Sequence, residues 1–209
     1  DELSTIMSFA FSYLQHEKTE GEDTAIEADL LGDRCGGSVY LRLTTRRIEQ
    51  FEREIDDTLM SEIIDGGYWL VPPQSSCSVV IAYIGAVAPQ VIESCDELNR
   101  GSPGSTAVLA ITSADRLHRG WMEAQRIRYR GLEKCSAQVE KLLGVIDSNA
   151  RIVTVTDGHP SVLTWLGAVA GHRVCGLGVD RFGESGTLTE LYQAYQLDAQ
   201  SILSACRSS

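Results

Sequence analysis

Basic residues are scarce in this sequence. Lys and Arg number 18 against 29 Asp and Glu over 209 residues, a formal charge of −11. Neutralising a phosphate backbone needs a cationic stripe, so the chain as a whole is unsuited to a nucleic-acid partner. No apolar run approaches the roughly 20 residues of a membrane span, and no cationic start leads into an apolar stretch of the kind that marks a secretory signal. The expectation is a cytoplasmic protein with no membrane partner. C-x-x-C pairs are absent: the six cysteines, Cys35, Cys77, Cys95, Cys135, Cys175 and Cys206, lie far apart. That excludes the usual zinc and thioredoxin spacings and leaves free, mostly buried thiols. His16, His118, His159 and His172 are scattered with no helical i, i+4 pair, so no metal site is expected. A Walker lysine is missing too.

What is present is enough apolar material for a core. Hydrophobic residues make up 43% of the chain and charged ones 22%, which fits one domain of ordinary size or one domain plus part of another. "DELSTIMSFAFSYLQHE" spaces Leu3, Ile6, Met7, Ala10, Phe11 and Leu14 as an amphipathic helix does. A polar, acidic stretch follows to Gly36 and Gly37, and "SVYLRLT" then alternates like a strand. "TRRIEQFEREIDDTLMSEII" reads as a charged helix or a linker with helical content, and "YWLV" stops at Pro72 and Pro73, which cannot continue a central strand. The boundary between a partial N-terminal unit and a complete domain falls near residues 65–76.

From residue 77 the pattern is regular. "CSVVIAYIG" is a continuous apolar, β-branched run of the kind covered on both faces, and "STAVLAITS", "RIVTVTD" and "HRVCGLGVD" read as further strands. Between them lie helical stretches over 86–101, from Ala114 to about Leu143, and over 161–171, with two more helices after 187. Strands alternating with helices predict an α/β three-layer sandwich around a mostly parallel sheet.

Common catalytic signatures fail on inspection. "GLGVDR" puts Arg181 where the third glycine of a dinucleotide fingerprint belongs, and it follows the last strand instead of opening the domain. "GESGT" has Thr187 where a nucleophile elbow ends in glycine, so a hydrolase using Ser161 or Ser185 with His159 lacks its signature.

Three local features carry more. "TDGHP" displays His159 at the carboxyl end of a strand, where open α/β sheets bind ligands, although a plain tight turn would look the same. "SADRLHRGWMEAQRIRYRG" gathers Arg116, Arg119, Arg126, Arg128 and Arg130 in an otherwise acidic chain. These could hold an anionic ligand, pair with acids across a subunit boundary, or simply face solvent. In "GVDRFGESGTLTELY", Thr187 and Glu190 form a capping box, so a helix start faces the loop bearing Asp180, Arg181 and Glu184. Arg181 is expected to meet a carboxylate.

Residues 153–205, with strand, glycine, "D-x-F-G-x-S" and a following helix, resemble the C-terminal domain of the transketolase group of thiamine-diphosphate enzymes. "SVYLRLTTRRIEQ" is similar to the last strand of the pyrimidine-binding domain in homodimeric pyruvate dehydrogenase E1, "GGYWLVPP" to the end of its linker, and "ITSADRLHRGW" to its strand, polar helix and Trp. The resemblance covers nearly all of the chain outside residues 17–37. It implies that 1–66 is the end of a pyrimidine-binding domain plus linker, and that 67–209 is a transketolase C-terminal-like domain. The full-length enzyme would then decarboxylate a 2-oxoacid such as pyruvate, or transfer a ketol unit, using thiamine diphosphate and Mg²⁺. The G-D-G…N-N motif and the catalytic Glu that hold that cofactor are absent here, so this piece alone is expected to bind none. Its partners would be the rest of its own polypeptide, a second subunit in a homodimer and a 2-oxoacid dehydrogenase complex. Asp180, Arg181 and Glu184 would shape an interface bordering the active-site channel. Gln125 stands where the E1 family carries a His, and His159 and Pro160 also depart from its pattern. The alternative is a stand-alone α/β regulatory or small-anion-binding module without catalysis.

Overall fold

The computed structural model describes residues 2–15, 38–48, 53–132 and 135–208. Five strands form one sheet in the order β1-β3-β2-β4-β5. β2 (Val79–Ile84), β3 (Thr106–Ile111), β4 (Arg151–Thr156) and β5 (Val174–Leu177) run parallel, while β1 (Gly67–Val71) pairs antiparallel with β3 at one edge. β2, β3 and β4 are buried along almost their whole length, as apolar runs covered by helices on both faces must be. Pro72 and Pro73 end β1 at the rim, where a missing N–H breaks no ladder.

Two apolar layers enclose the sheet. On one face Leu117, Trp121 and Ala124 of α4 (Ala114–Tyr129), Val139, Leu142 and Leu143 of α5 (Gln138–Leu143), Leu163 of α6 (Ser161–Thr164) and Leu166 of α7 (Leu166–Ala170) pack on Val80, Leu109 and Ile152. The other face brings Ile63 of α2 (Asp57–Asp65), Val91 and Cys95 of α3 (Ala88–Gly101), Tyr192 of α8 (Leu188–Ala194) and Ile202 of α9 (Ala199–Arg207) against Ile81, Val108 and Val153. The expected α/β three-layer architecture with a mostly parallel sheet is present.

The N-terminal helix α1 (Glu2–Gln15) forms and packs mainly on α2. Its Glu2 carboxylate accepts from the Tyr68 hydroxyl at 3.0 Å and pairs with Arg53 at 2.9 Å. Burial, and then the Glu2 charge, push the Tyr68 phenol well above its usual range. Leu3, Phe11 and Leu14 of the expected apolar stripe stay largely exposed, while Thr5 and Ala10 are buried. The docked face is rotated from the one that the spacing picks out.

Three expectations are corrected. "SVYLRLT" is no strand: 38–48 carry no regular secondary structure, because alternation describes two faces but supplies no ladder partner. The helical stretch 114–143 is two helices with Gly131 in a left-handed conformation between them (φ 67°). The stretch 161–171 is likewise two short helices, α6 and α7, meeting at Trp165. The polar stretch 17–37 and Cys35 lie outside the described residues.

Candidate functional site

β3 lies to one side of β2 and β4 to the other. The chain leaving β2 enters α3 on one face, and the chain leaving β4 enters α6 on the opposite face. Connections that diverge in this way open a crevice at the carboxyl ends of the two strands, the usual ligand position in such sheets. Register places Ile84 opposite Thr156, so Gly85 and Ala86 face Asp157 and Gly158 across it.

The crevice is held by its own hydrogen bonds. Ala86 N–H donates to Asp157 Oδ2 at 3.2 Å, and Tyr192 O–H donates to the Ala86 carbonyl at 3.4 Å. Gly85 adopts φ 91°, and a Cβ there would fall 2.3 Å from Asp157 Oδ1. Only glycine lets the carboxylate come this close. Gly158 N–H donates to Thr156 Oγ1 at 3.0 Å, and the Gly158 carbonyl accepts from Val179 N–H at 2.8 Å, stitching the turn after β4 to the loop after β5.

Two arginines from 38–48 lie in this crevice. Arg42 donates through Nη1 to Asp157 Oδ1 at 2.7 Å and through Nη2 to the Asp157 carbonyl at 3.1 Å. Arg46 donates to the Ala86 carbonyl and, at 3.3 Å, to the Tyr192 hydroxyl, with its guanidinium 5.5 Å from the Tyr192 ring centroid. None of Arg42, Arg46, Asp157 and Tyr192 stands out in the sequence. The available signal was Asp157 itself, the first residue past β4, overshadowed by His159 two positions on.

The residues that the sequence singles out lie elsewhere. His159 is exposed, and its Nδ1 meets Ser161 Oγ at 2.7 Å and accepts from Ser161 N–H at 3.2 Å. Ser161 is the first residue of α6, so the His159 ring lies against the start of that helix. No carboxylate orients its other nitrogen among the described contacts, so the pair lacks the third member of a hydrolytic triad. In α4, Arg119 pairs with Asp115 at 3.0 Å and Arg126 with Glu123 at 4.0 Å. Arg128 forks onto Glu140 of α5, at 3.0 Å for one oxygen, and the hydrogen bond from Arg128 holds the Glu140 carboxyl below its usual range. At these three arginines an anion would compete with an acid already in place, while Arg116 lies over the Phe9 ring, 4.6 Å from its centroid. Gln125 accepts from the Tyr129 hydroxyl at 3.0 Å.

The loop after β5 is exposed and pinned. Asp180 opens it, Arg181 meets Glu184 at 3.5 Å and donates to the Ala194 carbonyl at 3.0 Å, and Tyr195 O–H donates back to the Arg181 carbonyl at 3.0 Å. Arg181 thus meets a carboxylate on the surface, not in the buried pair whose cost prompted that expectation. The capping box is formed: Glu190 Oε2 accepts from Thr187 N–H at 2.8 Å and Thr187 Oγ1 from Glu190 N–H at 3.4 Å. Hydrogen bonds from the Thr187 N–H and hydroxyl to Glu190 Oε2 hold the Glu190 carboxyl below its usual range.

No protein-family model matches the chain. No curated protein matches it. Solved structures it is similar to include transketolases. Transketolase from Campylobacter jejuni subsp. jejuni NCTC 11168 is 17% identical over 68% of this chain and 18% of its own, with a TM-score of 0.45. Transketolase from Leishmania mexicana is 16% identical over 71% of this chain and 18% of its own, at 0.47. A split-gene transketolase, described as an inactive β4 tetramer, is 15% identical over 68% of this chain and 41% of its own, at 0.45. The chain therefore spans less than half the length of each of these three.

Nowhere among the described residues do three His, Cys, Asp or Glu side chains gather to hold a metal ion. The crevice itself offers one carboxylate, Asp157, already bound to Arg42 and Ala86. No helix of the described residues is long and apolar enough to cross a membrane.

Proposed function

We propose that this chain is the C-terminal part of a thiamine-diphosphate enzyme of the transketolase or pyruvate dehydrogenase E1 group, supplying contact surface and a wall of the active-site channel while the cofactor is held by other parts of the polypeptide. The sequence motif at 180–185 supports the group, and the loop that contains it supports the role. Every residue from 181 to 190 is exposed, and the Phe182 ring is uncovered at its tip, yet Arg181, Glu184, Thr187 and Glu190 fix the loop's shape. Burying a phenylalanine ring contributes about 1.5–3 kcal/mol, which is what Phe182 would add at such a contact surface.

The test is made on the product of the native gene. A polypeptide longer than this chain, carrying G-D-G and N-N peptides, with 2-oxoacid decarboxylation or ketol transfer that depends on thiamine diphosphate and Mg²⁺, supports the assignment. In that protein Phe182→Asp is expected to weaken subunit association in sedimentation while leaving the melting temperature of the isolated 209-residue chain unchanged. A native product of this length that works without the cofactor would overturn the reading and favour a stand-alone regulatory or anion-binding module.

A further inference from the structure

We propose that the crevice between β2 and β4 is a recognition site for paired guanidinium groups: residues 38–48 occupy it as a ligand in cis, and it takes an R-x-x-x-R segment in trans once they are out. Its failure would leave the thiamine-diphosphate reading untouched, because the cradle is defined by this chain alone.

The first reason is the chemistry of the walls. Asp157 Oδ1, the Asp157 carbonyl, the Ala86 carbonyl and the Tyr192 hydroxyl all accept hydrogen bonds from the two arginines, and the Tyr192 ring offers its face to the second. The backbone donor beside them, Ala86 N–H, is taken by Asp157 Oδ2. Acceptors plus an aromatic face match a planar cation and nothing anionic. Two oxygens of one residue receive the two ends of a single Arg42 guanidinium, a fork that an ammonium cannot reproduce.

The second reason is that the cradle does not rest on its occupant alone. Asp157 is also held by Ala86 N–H and fits the space that Gly85 leaves, and Tyr192 also reaches the Ala86 carbonyl at 3.4 Å, so contacts other than the arginines help to aim the acceptors. Such preorganisation reduces what binding must spend on ordering. The third is that the occupant is reachable: the Arg42 side chain is 59% exposed, and Tyr40 and Leu43 are exposed beside it. Exposed ion pairs contribute little to stability. The two buried apolar layers hold the sheet together without this strap.

Trypsin reads the strap in the intact 209-residue chain, since a guanidinium must leave its cradle before it enters the protease. Asp157→Asn should speed cleavage after Arg42 about tenfold relative to cleavage after the exposed Arg47, as expected for loss of one charge-assisted hydrogen bond. Tyr192→Leu should do the same after Arg46. In a second arm, Arg42→Gln/Arg46→Gln opens the cradle, and a fluorescein-labelled peptide of residues 38–48 should then bind saturably by anisotropy. The same peptide with lysines for both arginines should bind about tenfold more weakly, and so should the arginine peptide to the unsubstituted chain, where the cis segment competes. Equal binding of the lysine peptide overturns the proposal, as does no binding by a double variant whose circular dichroism matches the parent. If the double variant does not fold, unchanged cleavage rates in both Asp157→Asn and Tyr192→Leu overturn it.

Discussion

At the scale of single residues, the cysteines divide by environment. Cys77, Cys95 and Cys206 are buried, Cys135 and Cys175 exposed, and all are free thiols. Burial pushes the Cys95 thiol up to about 11 and Cys206 to about 12, because a thiolate cannot be solvated there. Iodoacetamide at pH 8 should therefore label Cys135 and Cys175 within minutes and leave Cys77, Cys95 and Cys206 unmodified until the protein is denatured; mass spectrometry of timed samples checks this. The linkage follows. A thiol whose pKa is raised by folding contributes stability that is fully present below the unfolded value of 9.0 and is lost as pH rises from there toward 11 or 12. Urea midpoints should fall over that alkaline window, and Cys206→Ser should flatten the fall.

At the scale of elements, the start of α8 is an acid-sensitive joint. The Glu190 carboxyl is held below its usual range by the Thr187 N–H and hydroxyl, so its contribution is present above the unfolded value of 4.5 and is lost as pH falls through the lower folded value. The protection of the Thr187 amide, its exchange divided by the intrinsic rate at each pH, should fall on acidification before the global transition, and Glu190→Gln should remove that pH dependence. Legibility in the sequence also divides by element. β2, β3 and β4 could be read directly, since strands covered on both faces must be apolar throughout. The capping box was legible because its partners are three residues apart. Residues 38–44 read as a strand but form none, since what this segment meets is a crevice and not a ladder. The Arg42–Asp157 contact spans 115 positions, a separation over which periodicity carries no information. His159 was placed correctly at a strand's carboxyl end, but it lies against α6, and the crevice belongs to Asp157.

For the whole molecule, one sheet is shared by two apolar layers, so neither layer can melt alone. Leu109→Ala empties a place in the layer beneath α4, and Ile81→Ala one in the layer beneath α3. Each should cost about 2–5 kcal/mol. Both should move a single transition in which near-ultraviolet tryptophan signal and far-ultraviolet helix signal change together. Two separated transitions would mean that the layers unfold independently.

The rims of the sheet have a consequence for how copies of this chain meet. At one rim β1 ends at Pro72, and at the other β5 runs only from Val174 to Leu177. Rims this short, one of them closed by proline, are poor templates for a sixth strand. Concentrated solutions should therefore resist fibre formation, and assembly is left to loop tips and helix faces.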